Sequence, residues 1–104
     1  MKITATIITL DEERNIARAI ESLRCADEIL IVDSGSVDRT VELARNLGTR
    51  VIEANWLGFS AQKNWAAEQA SHDWILSLDA DEALSEALEA EIWNLKKTGP
   101  RDDA

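Results

Sequence analysis

The side chains best suited to chemistry are carboxylates in short groups: Asp11-Glu12-Glu13, Asp33 with Asp38, and Asp79-Ala80-Asp81-Glu82. Asp79 and Asp81 stand two residues apart, so on an extended chain both project to the same side, where like charges favour a bound cation or free solvation. Mg or Mn suits such a hard, partly hydrated oxygen site. A calcium EF-hand is excluded, because the sixth position counted from Asp79 is Leu84 where that loop needs glycine. The competing reading is a solvated acidic turn, with Glu82 favouring the next helix through its dipole.

Asp33 is followed by the small residues Ser34-Gly35-Ser36, which let backbone approach a ligand closely. Its carboxylate can accept a hydrogen bond from the N–H of a base, or it can simply form a local turn. Asp38 reads as a dipole partner in the first turn of a helix. Gly58-Phe59-Ser60-Ala61-Gln62-Lys63-Asn64 joins a flexible entry to a cation and two amides, a candidate lid or base-contacting element; a solvated Lys63 is the plainer alternative. Trp56, Trp65, Trp74 and Trp93 read as core or interface residues, with Trp56, just before the glycine, the best exception. His72, at a helix-to-strand junction, reads as structural, and the single Cys25 as a buried, inert thiol.

The elements that must position these groups follow from hydrophobic period. Four short apolar runs alternate with four amphipathic segments, the pattern of βαβ units around a parallel sheet. Strands are expected at Ile3 to Thr9, Glu28 to Asp33, Arg50 to Ala54 and Asp73 to Leu78. The second is unbroken apolar and should be central. Helices are expected at Glu12 to Arg24 with Asp11 as N-cap, and at Val37 to Leu47 with Ser36 as cap and Val37 on the apolar stripe. Two more are expected at Ser60 to Ala70 and Ser85 to Lys97. Right-handed crossovers allow a three-layer α/β/α sandwich of Rossmann type, with strand order 3-2-1-4 favoured, over residues 1–98, with 99–104 as a flexible tail. In such sheets ligands gather beyond the carboxyl ends of the strands, where the acidic groups fall.

Composition narrows the partners. The chain has 104 residues, 45% hydrophobic and 30% charged, the balance of a globular protein, and no apolar run long enough to span a bilayer. A cytoplasmic location is expected. With 11 basic against 20 acidic residues the formal charge is −9, which argues against nucleic acid or anionic membrane as partner. The first βα turn has three carboxylates and no glycine-rich cradle, so dinucleotide and P-loop readings fail. A nucleotide bound here would need a divalent cation on its phosphates.

Taken in order, Thr9-Leu10-Asp11-Glu12-Glu13, Val32-Asp33-Ser34-Gly35-Ser36-Val37-Asp38, Gln62-Lys63-Asn64 and Ser77-Leu78-Asp79-Ala80-Asp81-Glu82 resemble the motif series of family 2 glycosyltransferases. The finer resemblance is to the bacterial branch that builds the lipopolysaccharide inner core. The resemblance implies a GT-A fold, a UDP-sugar donor, a glycan or lipid acceptor, and a divalent cation. It implies that Thr9 and the following backbone border the nucleotide, Glu12 lies near it, Asp33 reads the base, Lys63 helps hold the nucleotide, Asp79 contacts ribose or metal shell, and Asp81 binds the metal. Two departures stand out: the family usually has Asn at Asp11 and Thr at Val37, and either change can weaken binding.

The family's general base belongs to a later, acceptor-binding half, so no catalytic residue is assigned and nucleotide binding without efficient transfer is expected. In a full-length protein a cytoplasmic location at the inner face of the membrane is expected. The strand Trp74 to Leu78 is expected to be an exposed edge through which copies self-associate. Two other classes compete: a metal-dependent phosphotransfer or receiver-like domain, disfavoured because no Lys ends a later strand, and a non-catalytic binding module.

Overall fold

The computed structural model describes residues 1–99. It contains β1 (Ile3–Thr9), α1 (Ile16–Glu21), β2 (Glu28–Asp33), α2 (Thr40–Asn46), β3 (Arg50–Glu53), α3 (Phe59–Gln69), β4 (Trp74–Asp79) and α4 (Glu86–Thr98). The strands form one parallel sheet in the order β3-β2-β1-β4, the expected topology. Helices on both sides of this sheet make the expected three-layer α/β/α sandwich of Rossmann type.

Alternation along the strands sorts side chains into two apolar layers. Ile3, Ala5, Ile7, Ile31 and Leu78 face one side, where they pack with Ile16, Ile20 and Leu23 of the α1 region, Ala44 of α2 and Ile92 of α4. Leu30 and Val32 face the other, under Ala66 and Trp65 of α3. A large aliphatic side chain fully withdrawn from water contributes about 1.5–3 kcal/mol, so β2, covered on both faces, is firmly held. The expected central position of the apolar run is correct.

Cys25 is buried among the first layer, and desolvation pushes its thiol up, which keeps it protonated and inert. Of the tryptophans only Trp65 packs into a core; Trp56, Trp74 and Trp93 are exposed, so the core reading fails for them. Lys96 Nζ stands 5.1 Å above the Trp93 ring. Residues 100–104, most of the expected tail, lie outside the described residues.

The first two helices start later than their apolar period suggests. Asp11 has φ 53°, a left-handed turn, and the amides of Asn15 and Ile16 both bond to Glu12 O, so residues 12–15 form a turn and α1 begins at Ile16. The expected helix N-terminal amides are satisfied across the fold instead: Glu12 N–H donates to Thr40 Oγ1 at 2.8 Å and Glu13 N–H to Asp38 Oδ2 at 3.2 Å. Likewise α2 waits until Thr40, because the Val37 amide is committed to Asp11 Oδ1 at 2.8 Å and Ser36 to Asp33. Val37 is 92% exposed and belongs to no apolar stripe. The α4 boundary follows its cap: Ser85 Oγ accepts from Leu88 N–H at 3.1 Å.

At the amino ends of the strands one carboxylate ties the sheet together. Glu28 accepts from Thr4 Oγ1 at 2.9 Å, from Ser71 N–H at 3.0 Å and from Ser71 Oγ at 2.7 Å, and Arg50 lies 3.5 Å away. Desolvation works to raise its pKa, but these donors and the Arg50 charge together hold it below the ordinary glutamate value. Asp27 is held low chiefly by its hydrogen bond from Lys96 Nζ at 2.7 Å, helped by Ile3 N–H at 2.8 Å. His72 borders this end of the sheet, beside Ser71 and Glu28, away from the acidic strand ends.

Depressed folded pKa values give a definite sign. The stabilisation from Glu28 and Asp27 is complete above the unfolded carboxylate values, about 4, and is lost as pH falls through the lower folded values. The unfolding midpoint followed by circular dichroism should therefore be flat above about pH 5 and fall below about pH 4. Glu28→Gln should cost about 1–2 kcal/mol at neutral pH and flatten the acid limb. An acid limb as steep in the variant as in the parent would show that Glu28 is not its source.

Candidate functional site

The parallel register brings the carboxyl ends of three strands level. Thr9 pairs with Asp33 across β1 and β2, while Ile8 pairs with Asp79 across β1 and β4. The chain leaves the sheet at each point, and the loops that follow build two adjoining clefts and a third cavity beside them.

One cleft, of about 350 Å³, is lined by Ile8, Glu12, Phe59, Lys63, Asp79, Ala80 and Asp81. Next to it lies one of about 380 Å³, lined by Ile8, Thr9, Leu10, Glu12, Trp56 and Phe59. Ile8, Glu12 and Phe59 are common to both, so the two make one continuous groove. Five of the expected site residues, Thr9, Glu12, Lys63, Asp79 and Asp81, meet there. Asp33 does not line it; it borders a separate cavity of about 320 Å³ with Ser34, Gly35, Glu53, Ala54 and Asn55.

The carboxylate of Asp33 is fully buried and heavily engaged. It accepts from Thr9 Oγ1 at 2.7 Å, from Gly35 N–H at 3.1 Å and from Ser36 N–H at 2.8 Å, and Ser36 Oγ bonds to it as well. Turn formation is therefore a role Asp33 fulfils in the fold, next to the cavity it borders with Ser34 and Gly35. Gly35 has φ 102°, a conformation that suits glycine.

The acidic pair departs from the extended geometry assumed for it. Asp79 ends β4, but Asp81 lies in a turn closed by Glu82 N–H to Asp79 O at 2.9 Å, and Glu82 Oε1 accepts from Asp79 N–H at 3.2 Å. Both residues nevertheless line the same cleft. Asp79 is already paired with Lys63 at 3.5 Å. Asp81 has no ion pair among the described residues, which makes its carboxylate the better ligand for an incoming cation.

No group of three or more His, Cys, Asp or Glu side chains that could enclose a metal occurs among the described residues. Two carboxylates at a cleft still fit Mg or Mn, which keep several waters and bind through one or two carboxylates plus phosphate oxygens. The donor set thus fits a metal held jointly by protein and ligand, and does not fit a protein-only cage.

Two residues beside the acidic groups were read from sequence only as members of the Gly58 to Asn64 segment. Phe59 packs edge-on against Trp56, ring centroids 4.9 Å apart at 87°, to form the apolar wall of the groove. Gln62 is fully buried, accepting from Leu57 N–H at 2.9 Å and donating to Ser34 Oγ at 3.3 Å, so it ties the Trp56 loop to the loop after β2. Its place four residues before the buried Ala66, on one helix face, was the available signal.

Residues 4–102 match the family model described as Glycosyl transferase family 2. The chain belongs to glycosyltransferase family 2. An uncharacterized glycosyltransferase of Rickettsia typhi is 48% identical over 92 residues, covering 88% of this chain and 32% of the relative. A lipopolysaccharide core biosynthesis glycosyltransferase, LpsC of Rhizobium meliloti, is 41% identical over 93 residues, covering 85% of this chain and 34% of its own length. Among solved structures, S. aureus TarS 1-349 in complex with UDP-GlcNAc superposes with a TM-score of 0.72 at 27% identity, over 93% of this chain and 32% of that one. The chain thus spans about a third of the length of these relatives.

The departure at Asp11 is testable by itself. Its carboxylate accepts from Val37 N–H and its backbone is left-handed, and asparagine supplies the same acceptor while tolerating that φ. Asp11→Asn should leave urea stability within about 0.5 kcal/mol of the parent, whereas Asp11→Ala should cost about 1–2 kcal/mol. Equal losses in the two variants would mean that the charge, and not the acceptor or the turn, is what matters.

Proposed function

We propose that this chain is the nucleotide-sugar-binding portion of an inverting glycosyltransferase that moves a hexose from a UDP-sugar to a glycan or lipid acceptor of the cell envelope. The observation that carries the reading is the groove in which Glu12, Lys63, Asp79 and Asp81 converge at the carboxyl ends of β1 and β4, in a chain of family 2. The name of LpsC supports the envelope acceptor, and the UDP-GlcNAc complex of TarS supports the donor class.

In this reading the nucleotide lies along the groove, with Thr9 and Leu10 at its border and the Trp56–Phe59 wall excluding water from one side. Asp33 shapes the neighbouring cavity in which the base would sit, its carboxylate holding the Gly35 and Ser36 amides in place. Asp81 holds the divalent cation, with Asp79 in its shell or on the ribose. Once bound, Mg or Mn supplies Lewis-acid stabilisation of the diphosphate as it departs. Lys63, which pairs with Asp79 at 3.5 Å, would also lie within the groove to meet the diphosphate oxygens. Inverting transfer also needs a general base for the acceptor hydroxyl. None of the groove residues is assigned that role, so the 104-residue chain binds donor without efficient transfer.

Titration of the chain with UDP, followed through the fluorescence of the groove tryptophan, should be saturable and should require Mn. Asp81→Asn should weaken the Mn-dependent binding at least about tenfold, since one metal carboxylate is removed. Absence of saturable binding by the parent chain would overturn the reading and favour a non-catalytic interaction module. Measurable sugar transfer by the 104-residue chain, above a control lacking acceptor, would overturn the division of labour.

A second proposal concerns the outer edge of β4, which pairs only with β1 among the described residues and leaves Trp74 at 45% and Ile75 at 38% exposure. An uncovered apolar edge favours pairing with another strand, here a second copy of the chain. Sedimentation should show concentration-dependent dimer that a Lys at Ile75 suppresses; monomer throughout the accessible range would remove the proposal.

A further inference from the structure

The turn that carries Asp81 is held to the rest of the molecule by one short helix. Arg18 Nη2 donates to Asp81 O at 3.0 Å, and Ser22 Oγ accepts from Leu84 N–H at 2.9 Å while donating to Ala19 O at 2.7 Å. Arg18 and Ser22 are four residues apart at α1 and just beyond its end, so they present to the same side. The helix is itself fixed, with Ile16, Ala19 and Ile20 buried in the core.

We infer that Arg18, with Ser22, is a positioning residue that fixes the Asp79–Asp81 turn while leaving the Asp81 carboxylate free to take a cation. The choice of atom is what gives this contact its meaning. A guanidinium on the carboxylate would neutralise it and compete with a cation, as Lys63 does at Asp79. Arg18 grips the carbonyl oxygen instead, and forms no ion pair among the described residues.

The rest of the turn shows why an outside brace is useful. Its start is fixed by the pairing of Asp79 with Ile8 and by Ala80 buried in the core, and its end by the buried Leu84 and the Ser22 bond. Between them Asp81, Glu82 and Ala83 are exposed, with only the contacts between Glu82 and Asp79 to hold them from within. The Arg18 bond is the one tertiary hydrogen bond found on Asp81 itself among the described residues. Without it the carboxylate samples a wider arc, and a cation that needs both Asp79 and Asp81 at one place is bound less well.

The part of this inference that concerns metal rests on the proposed donor-binding function; the part that concerns the turn does not. Arg18→Met keeps the aliphatic stem and removes the donor, and Arg18→Lys restores a single donor. Hydrogen exchange of the amides at 80–84 should be faster in Arg18→Met by about fivefold, a loss of one hydrogen bond, and return toward the parent in Arg18→Lys. Mn-dependent UDP affinity should fall by about fivefold in Arg18→Met, UDP affinity without metal should change by less than about twofold, and Arg18→Lys should recover most of the loss. Ser22→Ala serves as the second variant, with the same order of effects.

Unchanged exchange in Arg18→Met overturns the brace. Faster exchange with unchanged metal dependence, in a parent that binds UDP with Mn, overturns the link to the cation. Equal losses with and without metal show a general loosening and overturn it too. A parent chain with no Mn-dependent UDP binding overturns the proposed function and the cation link together, while the exchange result still decides the brace.

Discussion

The arrangement depends on the register of the parallel sheet. With β1 between β2 and β4, Thr9 is level with Asp33 and Ile8 with Asp79, so three loops leave the sheet along one edge. A one-residue slip would turn alternate side chains to the opposite face, burying Asp79 in place of Leu78 and breaking the first core. The apolar layers therefore fix the site as well as the fold. The amino ends are locked by a different means, the Glu28 carboxylate reaching Thr4 and Ser71.

Polar contacts between loops then decide local form. The turn after β1 gives up its chance to begin a helix because its amides find Thr40 and Asp38 across the molecule. The loop after β2 gives up its own first turn to Asp11 and Asp33. Desolvation opposes ionisation of Asp38, yet donors from Thr40 and Glu13 hold its carboxyl below the ordinary range. These exchanges cost two helices their first turns and give the groove a rigid rim, a trade common where binding residues sit on loops over a firm scaffold. The groove wall opposite is apolar, with Trp56 and Phe59 edge to face.

Charge within the groove is divided rather than pooled. Lys63 answers Asp79, whereas Asp81 is left without a counter-ion among the described residues. In a chain of net charge −9 an unpaired carboxylate beside another would repel an anionic ligand. A divalent cation would relieve that repulsion, which is why the proposed diphosphate ligand calls for one.

Much was legible in the chain itself. The short apolar runs between helical segments marked four strands, right-handed crossovers allowed the favoured order that the sheet adopts, and the acidic residues after β1 and β4 marked the groove. The four motifs in order pointed to the family that residues 4–102 match. Local patterns carried this information because strand period and loop composition are set by nearby residues. What tertiary structure decided was every feature that joins distant residues. It decided the late starts of α1 and α2, the exposure of Val37, Trp74 and Trp93, and the turn in which Asp81 sits. It decided as well that Asp33 spends its carboxylate on its own turn and that Arg18, 63 residues earlier in the chain, grips the Asp81 carbonyl. Hydrogen bonds of that span leave no periodic trace in sequence, because their partners are chosen by how the layers pack and not by spacing along the chain.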